Sequence, residues 1–92
     1  MEYRFPKACF VNTNHLIEQI HHLRSELIEI EEEYDKSEMS LDSCALAIEV
    51  LDLLHSCETT LRILELDFCI DIDDMFDHVV AKNKARGYYK EG

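Results

Sequence analysis

Apolar residues in the first half of the chain recur at alternating intervals of four and three. The series is Leu16, Ile20, Leu23, Leu27, Ile30 and Tyr34. A repeat of this kind lines one face of an α-helix and packs against a partner helix. It predicts a first helix that begins after the N-cap candidates at residues 12–14 and ends near Tyr34. A second, polar stripe lies beside this seam and holds Gln19, His22, Glu26, Glu29 and Glu33.

A second helix is predicted from about Leu41 to Leu66, with Ser40 as its cap and Asp42 in its first turn. It is apolar around most of its circumference, apart from a strip of Asp42, Glu49, Asp52, Ser56 and Thr60. Glu58 and Arg62 lie off this strip, four residues apart, and are predicted to pair across one turn. A helix that is apolar on nearly all sides must be covered from several directions. We therefore expect the chain to form a homodimer or a homotetramer.

The segment 69–74 interrupts the apolar pattern and offers Asp71 or Asp73 as the cap of a third helix. That helix is predicted over residues 72–85, and its apolar residues are predicted to be buried: Ile72, Met75, Phe76, Val79 and Val80. Residues 1–11 are expected to form an irregular arm, and residues 85–92 a basic and aromatic tail. The predicted fold is all-α and forms a single domain over residues 1–92. It is an antiparallel helical hairpin with a short C-terminal helix, which assembles into an oligomeric helical bundle.

Composition narrows the classes of partner. The 92 residues carry a formal net charge of −11, which disfavours nucleic-acid polymers and anionic membranes. The four cysteines show no CxxC spacing, and Cys44 and Cys57 are predicted to be buried thiols. No secretory signal and no apolar run of about 18 residues is visible, so we expect a cytoplasmic protein.

Carboxylates supply the candidate chemistry. In an antiparallel hairpin, Glu26 and Glu29 of the first helix face Glu49 and Asp52 of the second. Four converging carboxylates repel one another, and cations in these two helices are few. A divalent cation is the natural partner, and an all-oxygen ligand set favours Mg²⁺, Mn²⁺ or Ca²⁺ over zinc. Spacing alone leaves open the alternative of a solvent-exposed acidic strip.

Two short segments carry a family resemblance. SELIE at residues 25–29 and EVLD at residues 49–52 are separated by 19 residues. They are similar to the EExxE and ExxD motifs of the MazG-like, all-α nucleoside triphosphate pyrophosphohydrolases. EVLDLLHSCETTLR and the tail KNKARGYYK also resemble phage and prophage members of that family. Ser25 departs from the pattern, because it stands where the family has the first glutamate.

The resemblance implies hydrolysis of an NTP or dNTP to the monophosphate and pyrophosphate, dependent on Mg²⁺ or its substitute Mn²⁺. It also implies that Glu26, Glu29, Glu49 and Asp52 bind the metal, which activates the attacking water. Ser25 leaves open how many metals bind and whether activity is complete. The alternative is a catalytically weak or inactive MazG-like protein that binds nucleotides or other proteins.

The basic tail is the candidate substrate-binding region. Lys82 and Arg86 are four residues apart and suit phosphate oxygens, and the resemblance favours this role. Asn83 is a candidate hydrogen-bond partner of phosphate or sugar, and Tyr88 or Tyr89 is a candidate for stacking on a base. The alternative is that these cations only favour the helix dipole. His55, one turn beyond Asp52, is predicted to be a packed histidine rather than a ligand.

Overall fold

The computed structural model describes residues 1–36 and 42–89. It contains three α-helices, α1 (Leu16–Asp35), α2 (Ser43–Phe68) and α3 (Ile72–Ala85), and a short 3-10 helix at Cys9–Asn12. The described residues form no strand, so the all-α prediction is confirmed. The 3-10 helix interrupts the arm that was predicted to be irregular. The predicted cap Ser40 and the predicted start Leu41 lie outside the described residues, as does the end of the tail.

Among the three α-helices, α3 begins at a predicted cap residue and the other two do not. His15 precedes α1, and its backbone N–H donates to Glu18 Oε1 at 3.1 Å, so the prediction of a cap within residues 12–14 is wrong. Asp42 is the N-cap of α2 itself and accepts from the Ala45 backbone N–H at 3.0 Å. Asp71 caps α3, as predicted.

The two long helices pack against each other in antiparallel directions. Gln19, near the start of α1, contacts Ser56 of α2, and its side-chain amide donates to the Ser56 backbone carbonyl at 3.1 Å. Further along α1, Glu26 is an electrostatic neighbour of Asp52, which lies earlier in α2. Residues later in α1 therefore contact residues earlier in α2, which is the pattern of an antiparallel pair. The two polar stripes consequently face each other across the hairpin.

This packing turns the first helix away from the predicted apolar seam. The buried and half-buried side chains of α1 alternate between apolar and polar types: Leu16, Gln19, Leu23, Glu26, Ile30 and Glu33. Ile20 and Leu27 belong to the predicted seam, yet they are 45% and 49% exposed. The residues of α1 that face α2 therefore come from both the apolar seam and the polar stripe. The reason is that α1 packs against the polar strip of α2.

The third helix has the predicted bounds, but the prediction of its buried face is wrong for the single chain. Ile72 is buried, whereas Met75, Phe76, Val79 and Val80 are exposed. The reason is that α3 leaves the end of the hairpin and finds little of the hairpin surface to cover. The radius of gyration is 15.8 Å, against about 12 Å for a compact domain of this length. The single chain is therefore extended, and much apolar surface is uncovered.

Two smaller predictions concern the cysteines and the membrane. Cys44 is exposed, which contradicts the prediction of a buried thiol, because it lies on the side of α2 that no other element covers. Cys57 is half-buried, and burial raises the pKa of its thiol. No helix within residues 1–36 and 42–89 is long and apolar enough to cross a membrane.

Candidate metal centre

Three of the four predicted metal ligands converge at the middle of the hairpin. Glu26 comes from α1, and Glu49 and Asp52 come from α2. Each offers a carboxylate oxygen, and these oxygens all lie within 4.8 Å of one another. The i, i+3 spacing places the two α2 residues on one face, and the antiparallel packing brings Glu26 to that face. We call these three residues the acidic trio.

Glu29, the fourth predicted ligand, borders the acidic trio. It is exposed, and its oxygens are not part of the 4.8 Å cluster. Its charge nevertheless acts on both Glu26 and Glu49 and raises the pKa of each. Glu29 is therefore placed to influence the charge of this site, and ligation by Glu29 stays a prediction.

Burial, followed by the charges of neighbouring carboxylates, raises the pKa of two members of the trio. Burial is the largest cause for Glu26, followed by the charge of Glu29. His22 opposes this rise in pKa, with its Nε2 at 3.2 Å from Glu26 Oε1. Burial also leads for the pKa of Glu49, and the charges of Glu29 and Asp52 raise it further. The site thus holds more negative charge than its neighbouring cations compensate.

The residues present fit a hard divalent cation. Glu26 Oε2 is buried and has no hydrogen-bond partner among the described residues, so it has a free lone pair to offer. All the donors are carboxylate oxygens, the type that Mg²⁺ and Mn²⁺ prefer. Ser25 contributes no carboxylate, and its hydroxyl donates to the His22 backbone carbonyl at 2.8 Å instead.

A small pocket of about 80 Å³ opens beside the acidic trio and shares Glu26 and Asp52 with it. The remaining lining comes from three segments of the chain: Ala8, Phe10, Gln19, His22, His55, Ser56 and Thr59. The lining includes two histidines and two carboxylates, and the space is too small for a nucleotide. The pocket suits water or a small polar group next to the acidic trio.

The N-terminal arm borders this pocket and is held by α2, which the sequence did not reveal. Glu58, only 5% exposed, accepts the backbone N–H groups of Arg4 at 3.0 Å and Phe5 at 2.9 Å. Arg62 donates to the Phe5 carbonyl at 2.8 Å, and its guanidinium lies over the Tyr3 ring. Glu58 and Arg62 were predicted to pair with each other. Both residues bind the arm, because its backbone offers each of them a hydrogen-bond partner, and the charge of Arg62 also lowers the pKa of Glu58.

The predicted substrate-binding residues lie elsewhere in the chain. Lys82 and Asn83 are in the last turn of α3, Arg86 caps its end, and the backbone N–H of Tyr88 donates to the Asn83 carbonyl at 3.0 Å. Within the described residues, α3 contributes nothing to the acidic trio or to the pocket. Asp52 lies sixteen residues before the end of α2, a distance of about 24 Å along the helix. The single chain therefore does not bring these four predicted substrate-binding residues into its acidic trio or its pocket.

Comparison of the chain with protein-family models, curated protein sequences and solved structures gives no significant match.

Proposed function

We propose that the protein is a Mg²⁺-dependent nucleoside triphosphate pyrophosphohydrolase, which converts an NTP or dNTP to the monophosphate and pyrophosphate. The observation that carries the proposal is the convergence of the acidic trio from two helices within 4.8 Å. The nucleotide itself comes from the resemblance of SELIE and EVLD to the MazG-like motifs. The cytoplasm, which supplies both Mg²⁺ and nucleotides, is the proposed location.

In this proposal, the carboxylates of Glu26, Glu49 and Asp52 hold the cation, and Glu29 adds negative charge beside them. A bound Mg²⁺ or Mn²⁺ supplies a Lewis acid for the triphosphate oxygens and lowers the pKa of water. His22 holds Glu26 through Oε1, which leaves Oε2 without a hydrogen-bond partner among the described residues. The protein thereby binds a polyanion in spite of its net charge of −11.

We further propose that the functional unit is a homodimer or homotetramer. The exposed apolar residues on α1 and α3 require covering, and a second copy of the chain can cover them with the same apolar residues in a symmetric interface. Since Lys82 and Arg86 belong neither to the acidic trio nor to the pocket of their own chain, we propose that they contact phosphates bound at the trio of a neighbouring copy. Asn83 and Tyr88 would contact the sugar or base there.

The test is direct product analysis. Purified protein is incubated with each of the common NTPs and dNTPs and Mg²⁺, and monophosphate and pyrophosphate are separated by ion-exchange chromatography. We expect turnover with at least one nucleotide, and we expect Glu49→Gln to abolish it. Glu32→Gln is the matched control, because Glu32 is an exposed acid of α1 outside the trio. Absence of turnover with every nucleotide, or full activity of Glu49→Gln, contradicts the proposal.

A second candidate function is a catalytically weak or inactive helical protein that binds nucleotides or other proteins. The observation in its favour is the amount of exposed apolar surface, which includes Phe76 at 57% and Ile48 at 59%. Such surfaces mark protein interfaces in general. Nucleotide binding by calorimetry without any product, or no binding at all, would favour this candidate over hydrolysis.

A further inference from the structure

One side of α1, next to its contact with α2, is apolar and uncovered. Its members are 44–58% exposed, and we call them the outer apolar face: Ile17, Ile20, Leu27 and Ile28. Ile17 and Ile28 are eleven residues apart, and Ile20 and Leu27 seven, which are spacings that return to the same side of an α-helix. Among the described residues, α2 is the only helix that packs extensively on α1, and it lies against another side.

Two charged side chains, Arg24 and Glu31, lie on the outer apolar face. Arg24 is the only lysine or arginine of α1, and its neighbours one turn away on this face are Ile20, Leu27 and Ile28. Glu31 has no basic residue three or four positions away. The two charges are seven residues apart, about 10 Å along the helix, which is too far for them to pair. Neither makes an ion pair or a hydrogen bond within residues 1–36 and 42–89.

These two charges are placed symmetrically about the exposed pair Leu27 and Ile28. Arg24 precedes Ile28 by four residues, and Glu31 follows Leu27 by four. A two-fold axis that passes between Leu27 and Ile28, perpendicular to α1, therefore places Leu27 against Ile28 of a second copy. The same axis places Arg24 against Glu31 of that copy and Glu31 against its Arg24. The result is an apolar centre with one pair of opposite charges on each side.

The charges also distinguish between the two directions in which two copies of α1 can pair. A parallel pair places Arg24 beside Arg24 of the other copy, and Glu31 beside Glu31. Like charges in contact across an interface cost several kcal/mol, whereas opposite charges fix the register. The charge positions therefore favour the antiparallel pair.

A groove at the end of α1 agrees with this alignment. It has a volume of about 410 Å³ and is lined by Ile30, Glu31, Tyr34, Asp35 and Leu46. In the antiparallel pair, Ile20 and Arg24 of the second copy lie opposite residues 31–35, where the groove opens. These two side chains are one helical turn apart, one apolar and one basic. The groove offers apolar side chains to the first and two carboxylates to the second.

We propose that α1 packs against α1 of a second copy in the antiparallel direction, with Leu27 and Ile28 at the two-fold axis and two pairs between Arg24 and Glu31. This inference rests on the homo-oligomer of the proposed function and is independent of the reaction. Burial of the outer apolar face drives the association. The two charge pairs set its direction and register, in a chain whose net charge of −11 otherwise makes two copies repel each other.

The experiment is a charge swap followed by sedimentation equilibrium. Arg24→Glu and Glu31→Arg each turn both opposite-charge pairs into like-charge pairs, so we expect each to raise the dissociation constant about tenfold or more. The double variant restores both pairs in reverse, and its dissociation constant is expected to return close to that of the wild-type protein. Glu32→Arg is the control, because it changes the net charge as Glu31→Arg does but is turned about 100° away. Circular dichroism establishes that each variant is folded.

A mixture of the two single variants gives a second readout. Arg24→Glu carries two acids on this face and Glu31→Arg two bases, so native mass spectrometry of the mixture is expected to show the heterodimer in excess over both homodimers. Wild-type dissociation constants in the single variants, or a double variant as weak as either single variant, overturns the inference alone. A monomeric wild-type chain at micromolar concentration overturns the inference and the proposed homo-oligomer together, and assigns the outer apolar face to a different protein. Nucleotide hydrolysis is tested separately by product analysis.

Discussion

Gln19 donates two hydrogen bonds to Ser56, one to its backbone carbonyl and one to its hydroxyl, each at 3.1 Å. Gln19 is completely buried, and its own carbonyl oxygen accepts from the Asn14 amide at 3.2 Å. It lies seven residues before Glu26, about two helical turns. The contact between Gln19 and Ser56 therefore sets the register that brings Glu26 beside Asp52.

Replacement of this amide is expected to destabilise the hairpin. Gln19→Met keeps the length of the side chain but leaves the Ser56 hydroxyl and the Asn14 amide without a partner. We expect the free energy of unfolding to fall by about 1–3 kcal/mol, the usual penalty for unpaired buried polar groups. Urea denaturation at a fixed chain concentration measures the change. His21→Met, at an exposed position of α1, is the control, and an equal effect in both variants would show that the amide contributes nothing.

The pKa values of Glu26 and Glu49 predict a dependence of stability on pH in metal-free protein. Both are raised, mainly by burial and then by neighbouring carboxylates, so the folded chain binds protons more tightly than the unfolded chain. The resulting stabilisation is complete below the pKa of an unfolded glutamate, about 4.3, and is lost as pH rises through the higher folded values. At neutral pH, Glu49→Gln is therefore expected to raise the melting temperature of metal-free protein.

Addition of millimolar Mg²⁺ is expected to reverse the order of the two melting temperatures, so that the wild-type protein melts above Glu49→Gln. The cation neutralises the trio in the wild-type protein and stabilises it by mass action, whereas Glu49→Gln binds Mg²⁺ weakly and gains little. Differential scanning fluorimetry with and without Mg²⁺ measures both effects, with Glu32→Gln as the control. Equal Mg²⁺-induced shifts in the wild-type protein and in Glu49→Gln would show that the trio does not bind the cation.

Release of the N-terminal arm is expected when Glu58 loses its charge. Although burial by itself raises the pKa of Glu58, the backbone N–H groups of Phe5 and Arg4 lower it below its ordinary value. This contribution to stability is present above the ordinary pKa of a glutamate and is lost as pH falls through the lower folded value. Acid is therefore expected to detach the arm.

Glu58→Gln is the corresponding variant at neutral pH, because its amide N–H₂ faces one of the two backbone donors. Trypsin cleaves after Arg4 and Lys7, both in the arm. We expect cleavage at these two sites to accelerate about tenfold, which corresponds to a loss of ~1.4 kcal/mol in arm docking. Mass spectrometry of timed digests measures the rates, and Glu32→Gln is the control. An unchanged rate after Arg4 would show that Glu58 does not hold the arm.

Self-association is expected to depend on the exposed apolar side of α1. We expect the wild-type protein to sediment as a dimer or tetramer, since Ile20 and Leu27 are about half exposed in the single chain. Leu27→Glu places a charge in that surface and is expected to shift the equilibrium to monomer by at least tenfold in dissociation constant. Sedimentation equilibrium measures this shift, and His21→Glu is the control. A monomeric wild-type protein at micromolar concentration contradicts the assembly.

The helices follow closely from local signals in the sequence. The bounds of α3 agree with the prediction because Asp71 caps its start, and α2 ends near the predicted residue, where Cys69 adopts a left-handed backbone with φ of 55°. Helical spacing and antiparallel packing also predict that Glu26 lies opposite Glu49 and Asp52. The buried face of α3 does not follow, because burial depends on the surface available to cover it.

By itself, the sequence determined the all-α class, the three helices and the two acidic segments that lie on facing helices. These are consequences of hydrophobic periodicity and side-chain caps, which act within a few turns of one helix. Only the tertiary structure decided that Gln19 is buried, that Glu58 and Arg62 hold the arm, and that His55 meets both Phe5 and the pocket. Those contacts join residues up to 57 positions apart. Local periodicity carries no information about which distant backbone group satisfies a buried charge, so the surroundings of the acidic trio became visible only when the arm and the two helices packed together.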